Sequence, residues 1–260
     1  RKFLAKFIST RACLLPELVE KDTSCLILYE FYNRILQMSY GNIFNLLKEN
    51  HKKNWLLYTK HDFVNKLSND TLKEEKFLHY LIQDYLFLIQ FSKAWALAIL
   101  KSDNLEEMKI AASTVNDLIN FEMELHITLC ANYGISKSDL ENADEENQNI
   151  AYTRYVLELG YSGDLLDLLS SLAPCVLGYG EIGINYKNSN PKTHMYQKWI
   201  QTYSSNEYQD VCKNVANLID KAFILRLGDD FVGTYKWQKV NKIFNKSTLL
   251  EIDFWNMAMK

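Results

Sequence analysis

Three residues of this sequence carry more chemistry than their surroundings call for: Asp84, Cys175 and Glu251. Asp84 sits in LKEEKFLHYLIQDYLFLIQFSKAWALAIL, residues 72 to 100. There Phe77, Leu81, Leu88, Phe91 and Trp95 recur at steps of four, three or seven, which lays them in one stripe along a helix and turns that stripe to a core. Asp84 falls inside the stripe. A core-facing carboxylate costs several kcal/mol unless something neutralises or hydrogen-bonds it. The fold must bring it a structural partner such as Arg, Tyr or Trp, or leave it a ligand to hold.

Cys175 stands in SLAPCVLGYGEIG, directly after Pro174. Proline belongs at the first turn of a helix or at a kink, so the thiol is expected near exposed backbone N–H groups and the positive end of a helix dipole, which lower a thiol pKa. Tyr179 is four residues on and shares its face, while Gly178, Gly180 and Gly183 admit a neighbouring helix or a ligand. The competing reading is an inert cysteine filling a core. Glu251, in STLLEIDFWNMAMK, has two readings as well. Thr248 to Glu251 fits a capping box at a helix start, whereas Phe254 and Trp255 one turn on turn the helix toward a core or an aromatic pocket.

Metal chemistry is not expected. None of the five histidines, His51, His61, His79, His126 and His194, has a glutamate three residues before it, so the Glu-x-x-His signature of di-iron bundles is missing. Glu122 and His126 share a face at a spacing of four and read as an ordinary exposed pair. The sequence also has no glycine-rich phosphate loop and no nucleophile elbow.

The elements that must position these groups are helices. From Asn42 to Tyr133 the chain has neither glycine nor proline, which a β-meander would need at its turns. Helices are expected over 42–58, 61–67, 72–101 and 104–133. After a polar loop over 134–149, further helices follow over 150–159, 164–172, 175–186, 194–203 and 207–227, with two more in 229–260. With 260 residues and 48% hydrophobic content, one all-α domain with a sizeable core is the expected class. A net charge of −3, from 29 basic and 32 acidic residues interspersed, leaves no basic field for nucleic acid. No apolar run approaches the roughly 20 residues of a membrane span. The five cysteines, Cys13, Cys25, Cys130, Cys175 and Cys212, are odd in number and widely spaced, which reads as reduced thiols in a cytoplasmic compartment. The run RKFLAKFISTR resembles the end of a targeting segment, but Glu17 and Glu20 follow quickly and argue against a transit peptide.

Four separated runs then agree with a known pattern: FLHYLIQDYLFLIQFSKAWALA, AYTRYVLELGYSGDLLDLLSSLAPCVLGYGEIG, YQKWIQTY and LLEIDFWNMA. In order and spacing they resemble the TenA/thiaminase II family, in its cysteine-bearing branch, over residues 43–260. Residues 1–42 are left as a helical extension of unassigned role. The resemblance implies a haem-oxygenase-like all-α bundle, a homotetramer, and no metal or organic cofactor. It implies hydrolysis of 4-amino-5-aminomethyl-2-methylpyrimidine to the hydroxymethyl pyrimidine and ammonia, and cleavage of thiamin. In that reading Cys175 is the nucleophile, Glu251 moves protons, and Asp84 holds the amidine edge of the aminopyrimidine. Tyr152 and Tyr179 line the pocket and hydrogen-bond the cysteine or the ring, while Tyr203 stacks on one ring face and Phe254 on the other. Phe87 departs from the tyrosine that the family often has three residues after the aspartate, which removes a hydroxyl from the pocket. A pyrimidine- or thiamin-binding or regulatory protein that keeps the pocket without turnover is the alternative.

Overall fold

The computed structural model describes residues 40–260. Cys13, Cys25, the basic RKFLAKFISTR run and nearly all of the expected 1–42 extension lie outside the described residues. Tyr40–Lys260 forms one compact unit, and among the described residues every regular element is helical. The chain enters α1 (Asn42–Asn50) through Gly41, whose φ of 135° suits a residue without Cβ. The Asp220 carboxylate then accepts from the N–H groups of Asn42 and Ile43, both at 2.8 Å, and so satisfies two of the open donors at the helix start.

The expected 42–58 helix is broken at His51 and continues as α2 (Lys52–Thr59). The break lets both apolar faces reach the same ring, with Phe44 and Trp55 packed 6.0 and 5.6 Å from Phe244. After α3 (Asp62–Ser68) comes α4 (Glu74–Lys101), the expected long helix with its stripe of Phe77, Leu81, Leu88, Phe91 and Trp95 buried. Each such side chain contributes roughly 1.5–3 kcal/mol by leaving water. The expected 104–133 helix is α5 (Leu105–Asp117) and α6 (Met123–Ala131), joined without a break by a π-helical segment, Leu118–Glu122. The expected loop over 134–149 holds a short α7 (Lys137–Glu141), closed by a reciprocal Ser136–Asp139 capping box.

Helix α8 (Asn147–Ser162) leads to α9 (Leu165–Tyr186), where the structure departs from the sequence reading. The Pro174 break does not occur; Pro174 and Cys175 both lie within one helix capped by Asp164 and Asp167. A proline inside a helix loses one hydrogen bond and clashes with the preceding turn. Burial outweighs that cost, because α9 runs through the middle of the bundle against α8, α10 (His194–Ser204), α11 (Asn206–Leu227) and α12 (Tyr235–Ala258). Against the expectation that no apolar run approaches the length of a membrane span, α9 is long and apolar enough to cross one, yet its apolar window is wholly buried inside the bundle, so it is a core helix. The closing region is likewise one long helix, α12, preceded by a 3-10 turn at Phe231–Gly233, where two helices were expected.

Glycines let α9 take its neighbours closely. A Cβ on Gly183 would stand 2.3 Å from the backbone oxygen of Tyr203, and one on Gly178 would stand 2.3 Å from the Tyr58 ring. The closeness of α9 to α10 is what brings Tyr203 beside Tyr179, with ring centroids 5.0 Å apart.

Candidate active site

Asp84 is buried on α4, and its Oδ2 accepts the hydroxyl of Tyr80 at 2.8 Å, one turn earlier on the same helix. The same oxygen lies 2.7 Å from Nε2 of His126, which is wholly buried on α6. Nδ1 of that ring faces the main-chain oxygen of Glu122 at 2.8 Å. A carbonyl can only accept, so Nδ1 carries hydrogen; with Nε2 set against a carboxylate, the ring is an imidazolium paired with Asp84. Burial works against that charge, but the hydrogen bond and the charge of Asp84 outweigh it and raise the His126 pKa. Asp84 therefore has internal partners of its own. Both of these bonds fall on Oδ2, and among the described residues no hydrogen bond falls on Oδ1.

The Glu122–His126 pair is not the exposed surface pair that spacing alone suggested. The Glu122 carboxylate accepts the hydroxyl of Tyr203 at 2.7 Å. Burial first, and the charge of Asp84 next, raise its pKa to about 7. The signal was in the sequence, since Ala111, Thr114, Leu118, Glu122, His126 and Leu129 recur at steps of three and four along one face. Trp199, also missed, donates its Nε1–H to the Tyr80 oxygen at 3.2 Å, and the Tyr179 hydroxyl lies 3.4 Å from that oxygen.

Glu251 lies in the interior of α12 and caps nothing. Thr248 donates its hydroxyl to the Phe244 carbonyl at 2.9 Å instead. Buried Glu251 accepts the Tyr152 hydroxyl at 2.8 Å, and its pKa rises to about 8, through burial first and the charge of Asp84 in addition. Phe87 packs 5.0 Å from Tyr152 and 5.6 Å from Phe254, so the three rings form a wall on the Glu251 side. Tyr203 packs 4.7 Å from Trp199 and 5.0 Å from Tyr179, and Tyr80 links this set to Phe254, 6.4 Å from Trp199 and 6.3 Å from Phe254.

Cys175 is set deep in the bundle with part of its surface open. Its place in the middle of α9 removes it from the helix dipole, and the expected lowering of its pKa is reversed. Burial first, then the charges of Glu251, Glu122 and Asp84, hold the thiol well above its ordinary value. Those three carboxyl groups come from α12, the π segment and α4, and the charge of each acts on the sulfur. Among the described residues no group of three or more His, Cys, Asp or Glu side chains is arranged to hold a metal ion. A shallow groove between α5 and α11, about 190 Å³ and lined by Lys109, Thr114, Asp117 and Val211 among others, shares no residue with this cluster.

A buried thiol, three carboxyl groups and a paired imidazolium, framed by aromatic rings, suit a flat polar heterocycle and proton transfer beside a nucleophile. Known proteins resemble the chain in sequence and fold. The sequence profile of the TENA/THI-4/PQQC family matches residues 48–260. An aminopyrimidine aminohydrolase of Halalkalibacterium halodurans is 31% identical over 206 residues, 78% of this chain and 89% of that protein. The crystal structure of a TenA family transcription regulator from a Silicibacter species superposes with a TM-score of 0.82 at 48% identity, covering 85% of this chain and 98% of the other. A domain of haem-oxygenase-like fold from Shewanella denitrificans superposes at 0.64 and 11% identity, over 83% of this chain and 91% of that one, a likeness of fold alone. The bundle is all-α and haem-oxygenase-like, and the chain belongs to the TENA/THI-4/PQQC family.

Proposed function

We propose that this chain is a hydrolase of thiamin salvage that converts 4-amino-5-aminomethyl-2-methylpyrimidine and water to the hydroxymethyl pyrimidine and ammonia, and that also cleaves thiamin. What supports this reading is that the charges of Glu251 and Asp84, from α12 and α4, act on the buried thiol of Cys175 in α9, with aromatic rings packed beside Asp84 and Glu251. The name of the Halalkalibacterium relative supports it independently.

In this reading the free Oδ1 of Asp84 accepts from the amino edge of the pyrimidine, whose faces lie against Tyr203 and Phe254. Cys175 rests as a thiol, so its proton passes to the Glu251 carboxylate as the sulfur bonds to a ring carbon. The carbon–nitrogen bond of the aminomethyl arm then breaks, and Glu251 returns the proton to the departing amine. Water adds to the vacated methylene and gives a proton to Glu251, and the carbon–sulfur bond breaks as Glu251 passes that proton to the sulfur, restoring the thiol and the carboxylate. Tyr152 holds Glu251 through the 2.8 Å bond. Phe87 supplies an apolar wall where a hydroxyl would stand in many relatives. The protein is further proposed to be a cytoplasmic homotetramer. Exposed Leu100, Leu105, Leu225 and Tyr235 would suit covered faces, and light scattering checks the mass.

The deciding experiment is ammonia release from the aminomethyl pyrimidine by wild type and Cys175→Ser side by side, with thiamin as second substrate. Release that collapses in the serine variant is expected. A folded wild type that binds the pyrimidine and releases nothing would make this a binding protein.

A further inference from the structure

Two bonds leave one helical turn for two sides of the site. His126 Nε2 reaches Asp84 Oδ2 at 2.7 Å, and Glu122 accepts the Tyr203 hydroxyl at 2.7 Å. The turn is stiffened from within, since the Glu122 carbonyl accepts from His126 Nδ1 at 2.8 Å. It begins where the π segment Leu118–Glu122 passes into α6, and such a segment re-aims the side chains that follow it and is frequent at functional sites. Both bonds end on residues that the proposed function gives to the pyrimidine, Asp84 for its edge and Tyr203 for its face.

We propose that His126 and Glu122 are positioning residues of the pyrimidine pocket: His126 fixes the Asp84 carboxylate, Glu122 fixes the Tyr203 ring, and one turn holds edge and face in register. This rests on the functional reading above. A carboxylate free to rotate would offer its edge in many directions; one anchored at Oδ2 presents Oδ1 in one. The titratable groups that act on the pair are Asp84 from α4, Cys175 from α9, Tyr203 from α10, and Tyr208 and Cys212 from α11. The His126 ring holds the Asp84 carboxylate in place through the 2.7 Å bond at Oδ2.

Two measurements test it. In the ligand-free protein, nitrogen NMR of labelled histidine is expected to show His126 protonated on both nitrogens near pH 7 in wild type and neutral in Asp84→Asn, whatever ligand the pocket takes. Binding of 4-amino-5-hydroxymethyl-2-methylpyrimidine and steady-state ammonia release are then compared for His126→Asn, His126→Gln, Glu122→Ala and Glu122→Gln, with circular dichroism melts confirming folding. His126→Asn keeps a donor for the Glu122 carbonyl and falls short of Asp84, whereas His126→Gln reaches it. Glu122→Gln keeps an acceptor for Tyr203, and Glu122→Ala does not. Affinity should fall about tenfold or more in His126→Asn and Glu122→Ala and return in the two glutamine variants, with KM moving more than kcat. Unchanged affinity in all four folded variants, or a neutral His126 in wild type, overturns the proposal. So does a collapse of kcat at unchanged KM in Glu122→Gln, which would make Glu122 a proton carrier. A wild type that binds no pyrimidine sinks the functional reading, and the histidine signal still decides whether His126 holds Asp84.

Discussion

Cys175 shows how much a few ångströms of chain decide about a side chain. A helix dipole acts within its first turn, and the sulfur lies well inside α9, where three carboxyl groups and burial all favour the thiol. Alkylation of Cys175 by iodoacetamide, followed by mass spectrometry of its peptide, should be slower near pH 7 than for a solvent-exposed cysteine and should rise only in strongly alkaline buffer. A rate matching that of an exposed thiol would sink this account of its environment. Asp84 has a second role through its buried pairing. Asp84→Ala leaves the His126 ring without its carboxylate, and breaking a buried pair costs about 3–5 kcal/mol. Urea denaturation should show a loss on that scale together with lost pyrimidine affinity; affinity lost at unchanged stability would mean that the pair carries no structural weight.

At the scale of elements, the site depends on how closely α9 meets its neighbours. Gly183 lies against the backbone of Tyr203, and a backbone cannot swing aside as a flexible side chain can. Gly183→Ala should therefore part α9 from α10, costing about 1–3 kcal/mol and moving Tyr203. A thermal melt and pyrimidine titration check both, and an unchanged pair of values would show that the contact has slack. The same close packing explains why Pro174 does not end a helix. Propensity is a local cost of about 3 kcal/mol, while α9 buries nearly every side chain from Leu165 to Gly183.

For the whole molecule, the raised carboxyl groups set a stability profile. Glu251 and Glu122 titrate near 8 and 7 in the folded chain against an ordinary value of 4.5. A raised pKa means that the folded state binds the proton more tightly, so this contribution is complete below 4.5 and is lost as pH rises through about 7 and 8. His126, also raised, acts in the same sense. Glu107 and Asp167, lowered by Arg226 and by Lys236 and Lys239 respectively, act oppositely and at the acid end. The ligand-free protein should accordingly lose melting temperature from about pH 5 to 8, with a shallower loss in Glu251→Gln. Parallel curves for the two proteins would remove Glu251 from the account.

The sequence by itself determined the helical class, the long α4 with its buried stripe, and the family. Apolar periodicity and the lack of glycine and proline are properties of the chain that a bundle can only obey. It also singled out Asp84, Cys175 and Glu251, because a polar group on an apolar face is legible without knowing what it faces. What those groups face was decided by tertiary structure. The π segment, the continuity of α9 through Pro174, the placing of Glu251 mid-helix and the His126–Asp84 pair depend on contacts between residues far apart in the chain. The sequence reading took His126 and Glu122 for a surface pair, since spacing on one helix says which residues share a face and not which face is covered. Raised carboxyl and thiol pKa values have the same origin: burial and neighbouring charge arise only when α4, the π segment, α9 and α12 converge.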